Sequence, residues 1–233
     1  MVRAQEPESC CVTPFIILSL PRSGTQMLSS LLRSHPDVIA HGEVFNGNDI
    51  RSHDDLVWRC WRQPDHVRAS AVGATLMMQD FAPFPFLMNH LLALRDMRVI
   101  VLERGNQLER IRSVLQAGDA WNWDVDTPPA GERDAVTLPV RYTLRLLQGA
   151  ATWHRQLGAI TNPLLWLYYE DLVADPDWFM ACVWKFLGVN DFHAHASTYR
   201  QESRPLCETV ANFEEISEAL RDTEFHYMTK GQP

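Results

Sequence analysis

A short turn of small and polar residues separates the first apolar stretch of the sequence from the first helical pattern. The apolar stretch is Phe15–Leu20, and the turn that follows it consists of Pro21, Arg22, Ser23, Gly24, Thr25 and Gln26. A strand that runs through such a turn into a helix directs unpaired backbone N–H groups and the positive end of the helix dipole at one point. Gly24 lets the backbone approach an anion closely, while Arg22 adds a full charge. Because Ser23 and Thr25 also offer hydroxyl donors, the turn is predicted to bind a phosphate-like anion.

This turn differs from the commonest nucleotide-binding loop. The pattern GxxxxGK[ST] needs a glycine before the turn and a lysine near its end, but no glycine precedes Pro21 and no lysine follows Gly24 within the turn. A plain strand–turn–helix connection without a ligand is the alternative interpretation, since Ser, Gly and Thr are common turn residues. The coincidence of strand, turn and helix patterns favours the anion site.

The apolar pattern also predicts the elements that hold this turn. Three runs are typical of buried strands in a parallel sheet, namely Phe15–Leu20, Arg98–Leu102 and Leu164–Tyr169. A helical pattern follows each run. The apolar faces of the first two helices comprise Met27, Leu28, Leu31 and Leu32, and then Leu108, Ile111, Val114 and Leu115. This repeated strand-then-helix order predicts an α/β fold with a mostly parallel central sheet flanked by helices.

Two further helices and one loop can be recognised from their residues. Asp175 can cap a helix, Pro176 fits its first turn, and Gly188 follows its last apolar positions. The stretch Pro139–Leu157 is typical of another long helix, and it offers Leu144, Leu147 and Trp153 to the core. The stretch Asp119–Val136 has no sustained period and contains prolines and acids, so it is predicted to be a loop.

Length and composition predict one domain and exclude several classes of partner. A chain of 233 residues with 46% hydrophobic content is expected to form a single domain over residues 14–227, with flexible ends at 1–13 and 228–233. The net charge of −8 gives no general attraction to nucleic acid or to an anionic membrane, so any bound anion requires a local site. The five cysteines show no metal-ligand spacing and no signal peptide is apparent, so we expect a cytoplasmic protein without a metal.

The segment Pro14–Thr25 resembles the 5′-phosphosulfate loop of sulfotransferases that use 3′-phosphoadenosine 5′-phosphosulfate (PAPS). Similar stretches follow in the same order at His41–Asn46, Val99–Ser113 and Tyr168–Leu172, and residues 205–215 resemble bacterial members that sulfate carbohydrates. The resemblance implies a P-loop-type three-layer sandwich. It also implies sulfuryl transfer from PAPS to a hydroxyl of a glycan or small molecule, with 3′,5′-adenosine bisphosphate (PAP) as product and no metal.

The resemblance implies roles for several residues at the nucleotide site. Arg104 and Ser113 match the residue types that hold the 3′-phosphate in this family. The usual separation is one residue shorter and would place Gly105 opposite Ser113, so Arg110 or Arg112 is an alternative source of the charge. By the same resemblance, Tyr168 or Tyr169 packs on the adenine, with Tyr169 preferred, and Glu170–Leu172 fixes the loop.

The resemblance also points to the catalytic groups. Glu43 is the expected general base, because bacterial relatives use a glutamate in this neighbourhood, and a carboxylate needs a partly closed pocket to act as a base. His41 is the alternative base. The two are two positions apart, so on an extended segment they share a face. Arg22 is expected to stabilise the leaving 5′-phosphate.

Two other functions are alternatives to sulfuryl transfer. A P-loop phosphotransferase would bind a nucleoside triphosphate with magnesium. A PAP-binding module without catalytic activity is the other, because Thr75 stands where many relatives carry a lysine or another polar residue, and because the spacing at Arg104 departs from the family pattern. The sequence leaves the acceptor open, and a homodimer is one option for its assembly.

Overall fold

Five parallel strands form the centre of the fold. In the computed structural model, which describes residues 12–44, 53–61, 68–81, 93–94, 96–120, 131, 133–198 and 202–230, they follow the order β2-β3-β1-β4-β5. All their pairings are parallel. The strands are β1 (Thr13–Ser19), β2 (Val38–Glu43), β3 (Ala71–Met77), β4 (Arg98–Glu103) and β5 (Leu164–Tyr168). The predicted α/β fold with a mostly parallel sheet is therefore confirmed.

Helices follow the strands along the chain. They are α1 (Thr25–Ser34), α2 (His53–Trp61), α3 (Gln107–Ala120), α4 (Val140–Leu157), α5 (Tyr169–Ala174), α6 (Pro176–Leu187), α7 (Leu206–Thr209) and α8 (Phe213–Leu220). Short 3₁₀ helices occupy Met78–Phe81 and His226–Thr229. None of the helices in the described ranges is long and apolar enough to cross a membrane.

Side chains of the sheet alternate between two packed faces. Phe15 and Ile17 of β1 pack with the apolar sides of α1 and α6, while Ile16 and Leu18 pack on the other side with α4 and Cys60 of α2. This alternation follows from the period of two along a strand, and it makes the molecule three layers thick. A third cluster joins α3, α4, α7 and α8 to the C-terminal 3₁₀ helix.

The helix boundaries expected from the sequence agree well with the structure. The Asp175 side chain accepts a hydrogen bond of 3.0 Å from the Trp178 backbone N–H, and Gly188 ends α6 in the left-handed conformation. Helix α4 begins at Val140, directly after Pro139, and buries Leu147 and Trp153 as predicted. Local capping chemistry determines these ends, so neighbouring residues are sufficient to predict them.

The structure differs from the sequence analysis at several places. Strands β2 and β3 were not predicted. In β3, Gly73 and the alanines Ala71 and Ala74 weaken the strand pattern, and its place between β1 and β2 identifies it. Tyr169 begins α5 rather than ending β5. Helix α3 continues to Ala120, and residues 121–130 of the predicted loop lie outside the described part of the chain.

Regular structure extends past the predicted domain limits at both ends. Thr13 begins β1 and pairs with Ala71, although residues 1–13 were predicted to be a flexible end. At the other end, Met228 is buried and its carbonyl accepts a hydrogen bond of 3.0 Å from the Asn106 side chain. Burial of Met228 in the third cluster explains why the chain is ordered beyond residue 227.

His35 connects the end of α1 to the end of α6 through a buried network. The side chain is 3% exposed, and its ring lies 4.7 Å from Trp184 and 5.1 Å from Phe192, centroid to centroid. The Asp37 backbone N–H donates to Nδ1 at 3.0 Å, so Nε2 carries the proton and donates to the Asn190 carbonyl at 3.0 Å. The buried neutral imidazole therefore bonds to one backbone donor and one backbone acceptor.

We predict that His35→Ala lowers the free energy of unfolding by about 2–4 kcal/mol, because it removes a buried aromatic ring from its packing and breaks the hydrogen bonds to the Asp37 N–H and the Asn190 carbonyl. Urea denaturation followed by circular dichroism measures this change. His195→Ala is the matched control, since this side chain is exposed and only its backbone N–H bonds to Ser34. Equal stability of the two variants would contradict the role of the buried imidazole.

Candidate active site

The turn between β1 and α1 has the geometry of an anion-binding loop. Arg22 and Gly24 both adopt positive φ angles, 67° and 94°, so the backbone doubles back before α1 begins. No side chain caps the start of α1, which leaves its first N–H groups directed out of the helix end. The Ser23 hydroxyl is fully buried and has no hydrogen-bond partner. A buried, unsatisfied donor beside a helix N-terminus is suited to an anionic ligand.

Tyr169 lies directly against this turn. A β-carbon added at Gly24 would overlap the Tyr169 ring, so only glycine allows the ring to approach this closely. The Arg104 guanidinium lies over the other part of the same ring, 4.9 Å from its centroid, at cation–π distance. Tyr169 therefore links the β1 turn to the end of β4. Tyr168, the last residue of β5, is 39% exposed.

Arg22 and Ser113 meet although 91 positions separate them along the chain. The Arg22 Nε donates a hydrogen bond of 3.0 Å to the Ser113 hydroxyl. The contact follows from the topology, because β1 and β4 are parallel neighbours and the segments after them leave the sheet at the same edge. Two segments that were predicted separately, the turn and the Arg104–Ser113 stretch, therefore form one site.

Buried arginines surround this contact. Arg104, Arg110 and Arg112 are 7%, 4% and 3% exposed. Arg104 forms an ion pair of 2.5 Å with Glu109, whereas Arg112 donates to the neutral Gln116 amide at 2.9 Å. The Nε atoms of Arg104 and Arg112 are buried without a hydrogen-bond partner. Buried cations are costly unless anions or hydrogen bonds compensate them, so this cluster is suited to an anionic ligand.

The electrostatics of these arginines reflect their crowding. Burial, together with the charge of Arg104, lowers the pKa of Arg110 and the pKa of Arg112 each to about 10. The pKa of Arg22 is also lowered, first by burial and then by the charges of Arg133 and Arg104, while Glu43 opposes the shift. The guanidinium groups nevertheless stay charged near neutral pH, and bound phosphate would relieve their mutual repulsion.

Glu43 and His41 occupy the end of β2, where the strand contains a bulge. Ala40 pairs with Gly73 and Glu43 pairs with Thr75, so β2 has one residue more than β3 between these pairs. Gly42 adopts a φ of 59° within the bulge. The bulge interrupts the regular pairing of β2, but burial still alternates along the strand, with Gly42 buried between the partly exposed His41 and Glu43. Both side chains are half-buried.

Thr75 lies inside the sheet beside Glu43. Its side chain is 1% exposed, and its hydroxyl is 3.3 Å from the Ser29 hydroxyl on α1. Thr75 pairs with Ile17 of β1, two residues before β1 ends. Thr75 thus places a small, hydrogen-bonded hydroxyl between Glu43 and β1.

Glu170 fixes the loop that leads into α3. Its carboxylate accepts the Gly105 N–H at 2.9 Å and the Asn106 N–H at 3.3 Å. Asn106 in turn caps α3, because its side-chain oxygen accepts the Leu108 N–H at 3.0 Å. The loop-fixing role predicted for Glu170 is therefore present, and it holds the backbone next to Arg104.

The other predicted binding residues lie at the two ends of the turn. Pro21 is half-buried, Thr25 is 4% exposed at the start of α1, and Gln26 is exposed. The sequence analysis missed Arg133, whose charge acts on both Arg22 and Arg112. No local pattern marks Arg133, because it lies in the irregular stretch before α4. Within the described residues, no group of three or more His, Cys, Asp or Glu side chains could hold a metal ion.

The chain is similar in sequence to a known protein family and to curated proteins, and similar in fold to solved structures. Residues 14–81 match a family model described as the sulfotransferase family. Nodulation protein H of Rhizobium tropici is 31% identical over 218 residues, which cover 87% of both chains, and that of Rhizobium meliloti is 33% identical over 224 residues, which cover 87% of this chain and 89% of the relative. A solved sulfotransferase from Alicyclobacillus acidocaldarius has a TM-score of 0.49 and 16% identity, covering 94% of this chain and 96% of its own.

We predict opposite stability changes for two glycine-to-alanine variants. Gly24→Ala should lower the free energy of unfolding by about 1–3 kcal/mol, because alanine is strained at this φ and overlaps Tyr169. Gly149→Ala, in the exposed middle of α4 with no atom near its β-carbon, should raise it by about 0.5–1 kcal/mol.

Chemical denaturation of both variants, of Tyr169→Ala, and of the Gly24→Ala and Tyr169→Ala double variant tests this geometry. The double variant should lose less than the sum of the two single losses, because removing the ring removes the overlap. Strictly additive losses would show that the ring and the glycine do not interact.

Proposed function

The chain belongs to the sulfotransferase family and is a sulfotransferase, and we propose that it transfers the sulfuryl group of PAPS to a hydroxyl of a glycan or small molecule. The observation that carries the proposal is the contact of Arg22 with Ser113, inside a cluster of buried arginines and beside an unsatisfied Ser23 hydroxyl. PAPS carries anionic groups at both its 3′ and 5′ positions, and this cluster offers donors on two neighbouring segments.

In the proposed complex, the β1 turn binds the 5′ end of the donor. The Ser23 hydroxyl, the first N–H groups of α1 and the Arg22 guanidinium are the donors for its oxygens. Ser113 and the arginines of α3 bind the 3′-phosphate. Tyr169, which lies between the turn and Arg104, is the proposed surface for the adenine ring.

The proposed chemistry is an in-line displacement at sulfur. The acceptor oxygen forms a bond to sulfur, the bond between sulfur and the 5′-phosphate oxygen breaks, and PAP leaves with that electron pair. Arg22 and the N–H groups of the turn donate hydrogen bonds to the phosphate oxygens, where negative charge increases as the bond breaks. Donors placed at this position lower the barrier rather than merely strengthen binding.

Glu43 is the proposed base that takes the proton from the acceptor hydroxyl. Three observations support this role: the carboxylate is half-buried, it follows a bulge that ends regular β2 pairing, and it is near enough to Arg22 for its charge to raise the pKa of that guanidinium. Bulges often redirect a side chain towards a site. His41, on the other side of the bulge, is the alternative base.

We predict that the wild-type protein binds PAP more tightly than ATP with magnesium, and that Arg22→Ala weakens PAP binding by about 10–100-fold. The variant should also lose about 100-fold or more in turnover, because Arg22 acts on both the bound nucleotide and the leaving group. Calorimetry and detection of sulfated product measure the two effects. Arg155→Ala, on the exposed side of α4, is the control and should change neither.

Tighter binding of ATP than of PAP would overturn the proposed donor. Wild-type binding of PAP by the Arg22→Ala variant would instead overturn the role of the turn.

We predict that Glu43→Gln reduces turnover by about 100-fold or more while PAP affinity stays within about twofold, since an amide cannot accept the proton. The assay uses PAPS with the best acceptor found in a panel of saccharides and small alcohols. Glu208→Gln is the control, because this side chain is exposed on α7. Loss of turnover in His41→Gln with near-normal turnover in Glu43→Gln would assign the base to His41 instead.

A further inference from the structure

Residues 133–138 form an irregular segment before α4 whose backbone is fixed at several points. Val136 forms a parallel bridge with Val210, with its N–H donating to the Thr209 carbonyl at 3.0 Å and its carbonyl accepting the Ala211 N–H at 3.0 Å. The Asn212 side chain bonds to both the N–H and the carbonyl of Leu138, each at 2.9 Å. These bonds place the segment against the C-terminal part of the chain.

An ion pair fixes the start of this segment. Arg204 donates through Nη2 to the Arg133 carbonyl at 2.7 Å and to the Glu202 carboxylate at 2.7 Å, while its Nε also donates to Glu202 at 3.1 Å. Glu202 further accepts the backbone N–H groups of Ser203 and Arg204 at 3.0 Å. These hydrogen bonds, with Arg204 foremost, lower the pKa of Glu202 to about 2, so the pair stays ionised at neutral pH.

A second set of bonds joins the segment to the arginine cluster on α3. The Gln116 side chain donates to the Asp134 carbonyl at 3.4 Å and accepts from Arg112 Nη1 at 2.9 Å. Ser113, next to Arg112, accepts from Arg22. Arg133 directly precedes Asp134, and the Asp134 carbonyl is bonded to this face of α3 through Gln116. Its charge lowers the pKa of Arg22 more than any other charge does, and it also lowers that of Arg112.

We propose that Arg133, together with Arg112 and Ser113, binds the 3′-phosphate of PAPS, and that the Arg204–Glu202 pair positions Arg133. The inference rests on the proposed function, because it requires a donor that carries a 3′-phosphate. A phosphate group has enough oxygens and charge to accept hydrogen bonds from more than one guanidinium. Arginines that repel one another in the free protein then become donors to a shared anion, which favours binding.

This role distinguishes Arg133 from the residues of the turn. Arg22 and Ser23 follow β1 and are assigned to the 5′ end, whereas Arg133 is fixed against α3 and the C-terminal segment by the Arg204 and Gln116 bonds. Removing Arg133 should therefore weaken binding of ligands that carry the 3′-phosphate far more than binding of ligands that lack it.

The test compares PAP with adenosine 5′-monophosphate, which lacks the 3′-phosphate, by calorimetry and competition. In Arg133→Gln, affinity for PAP should fall by about 10–100-fold while affinity for the monophosphate changes by less than about twofold. Arg133→Lys should recover part of the loss, because it keeps the charge but not the planar fork. Arg141→Gln, on the exposed side of α4, is the matched control and should bind both nucleotides normally.

The outcomes separate the inference from the function on which it depends. If wild-type protein does not prefer PAP over the monophosphate, the proposed donor is overturned, and the inference with it. If wild-type protein prefers PAP and Arg133→Gln does so equally, only the inference is overturned. Equal weakening of both nucleotides would show a structural role and would also overturn it.

The positioning role of Arg204 has its own readout. Arg204→Gln should raise the KM for PAPS by about 10-fold with kcat within about twofold, and Arg204→Lys should recover part of the KM. Thermal denaturation of each variant checks that the fold is intact. An unchanged KM in a folded Arg204→Gln protein, or a loss confined to kcat, would overturn this part of the proposal.

Discussion

Buried positive charge at the carboxyl ends of β1 and β4 is the constraint on which the site depends. Arg104, Arg110 and Arg112 are almost fully covered by protein, and burial is the main cause of the lowered pKa of Arg110 and Arg112. A protein keeps such charges inside only when anions and hydrogen bonds compensate them. Glu109 and Glu202 compensate part of the charge here. In the proposed complex the 3′- and 5′-phosphates of PAPS complete the compensation, so that a chain of net charge −8 binds a polyanion through a local site.

The strand order determines how the proposed groups approach this site. Because β1 lies between β3 and β4, its turn is flanked on one side by the β2–β3 edge with Glu43 and Thr75, and on the other by Arg104 and α3. In the proposed complex the base and the groups that bind the 3′-phosphate therefore lie on opposite sides of the turn. In the proposed in-line displacement the leaving group is the 5′-phosphate bound by the turn, and the acceptor oxygen with its base approaches sulfur from the side opposite that phosphate.

The junction of β5 and α5 connects these parts. Tyr169 packs on Gly24 and lies under Arg104, while Glu170 next to it bonds to the backbone of Gly105 and Asn106. Asn106 then joins α3 to the C-terminal 3₁₀ helix through the Met228 carbonyl. Residues from four distant parts of the chain thus depend on one another for position, and the backbone around Arg104 is fixed before any ligand binds.

Local patterns in the sequence determined the α/β class, the ends of α4 and α6, and the turn between β1 and α1, because capping, hydrophobic period and turn chemistry depend on near neighbours. They did not reveal β3, the bulge between His41 and Glu43, or Arg133. A strand of small residues is defined by its partners, a bulge by a mismatch of two strands, and Arg133 by bonds to Arg204 and through Asp134 to Gln116. Only the tertiary structure decided these features, since each arises from contacts between segments far apart along the chain.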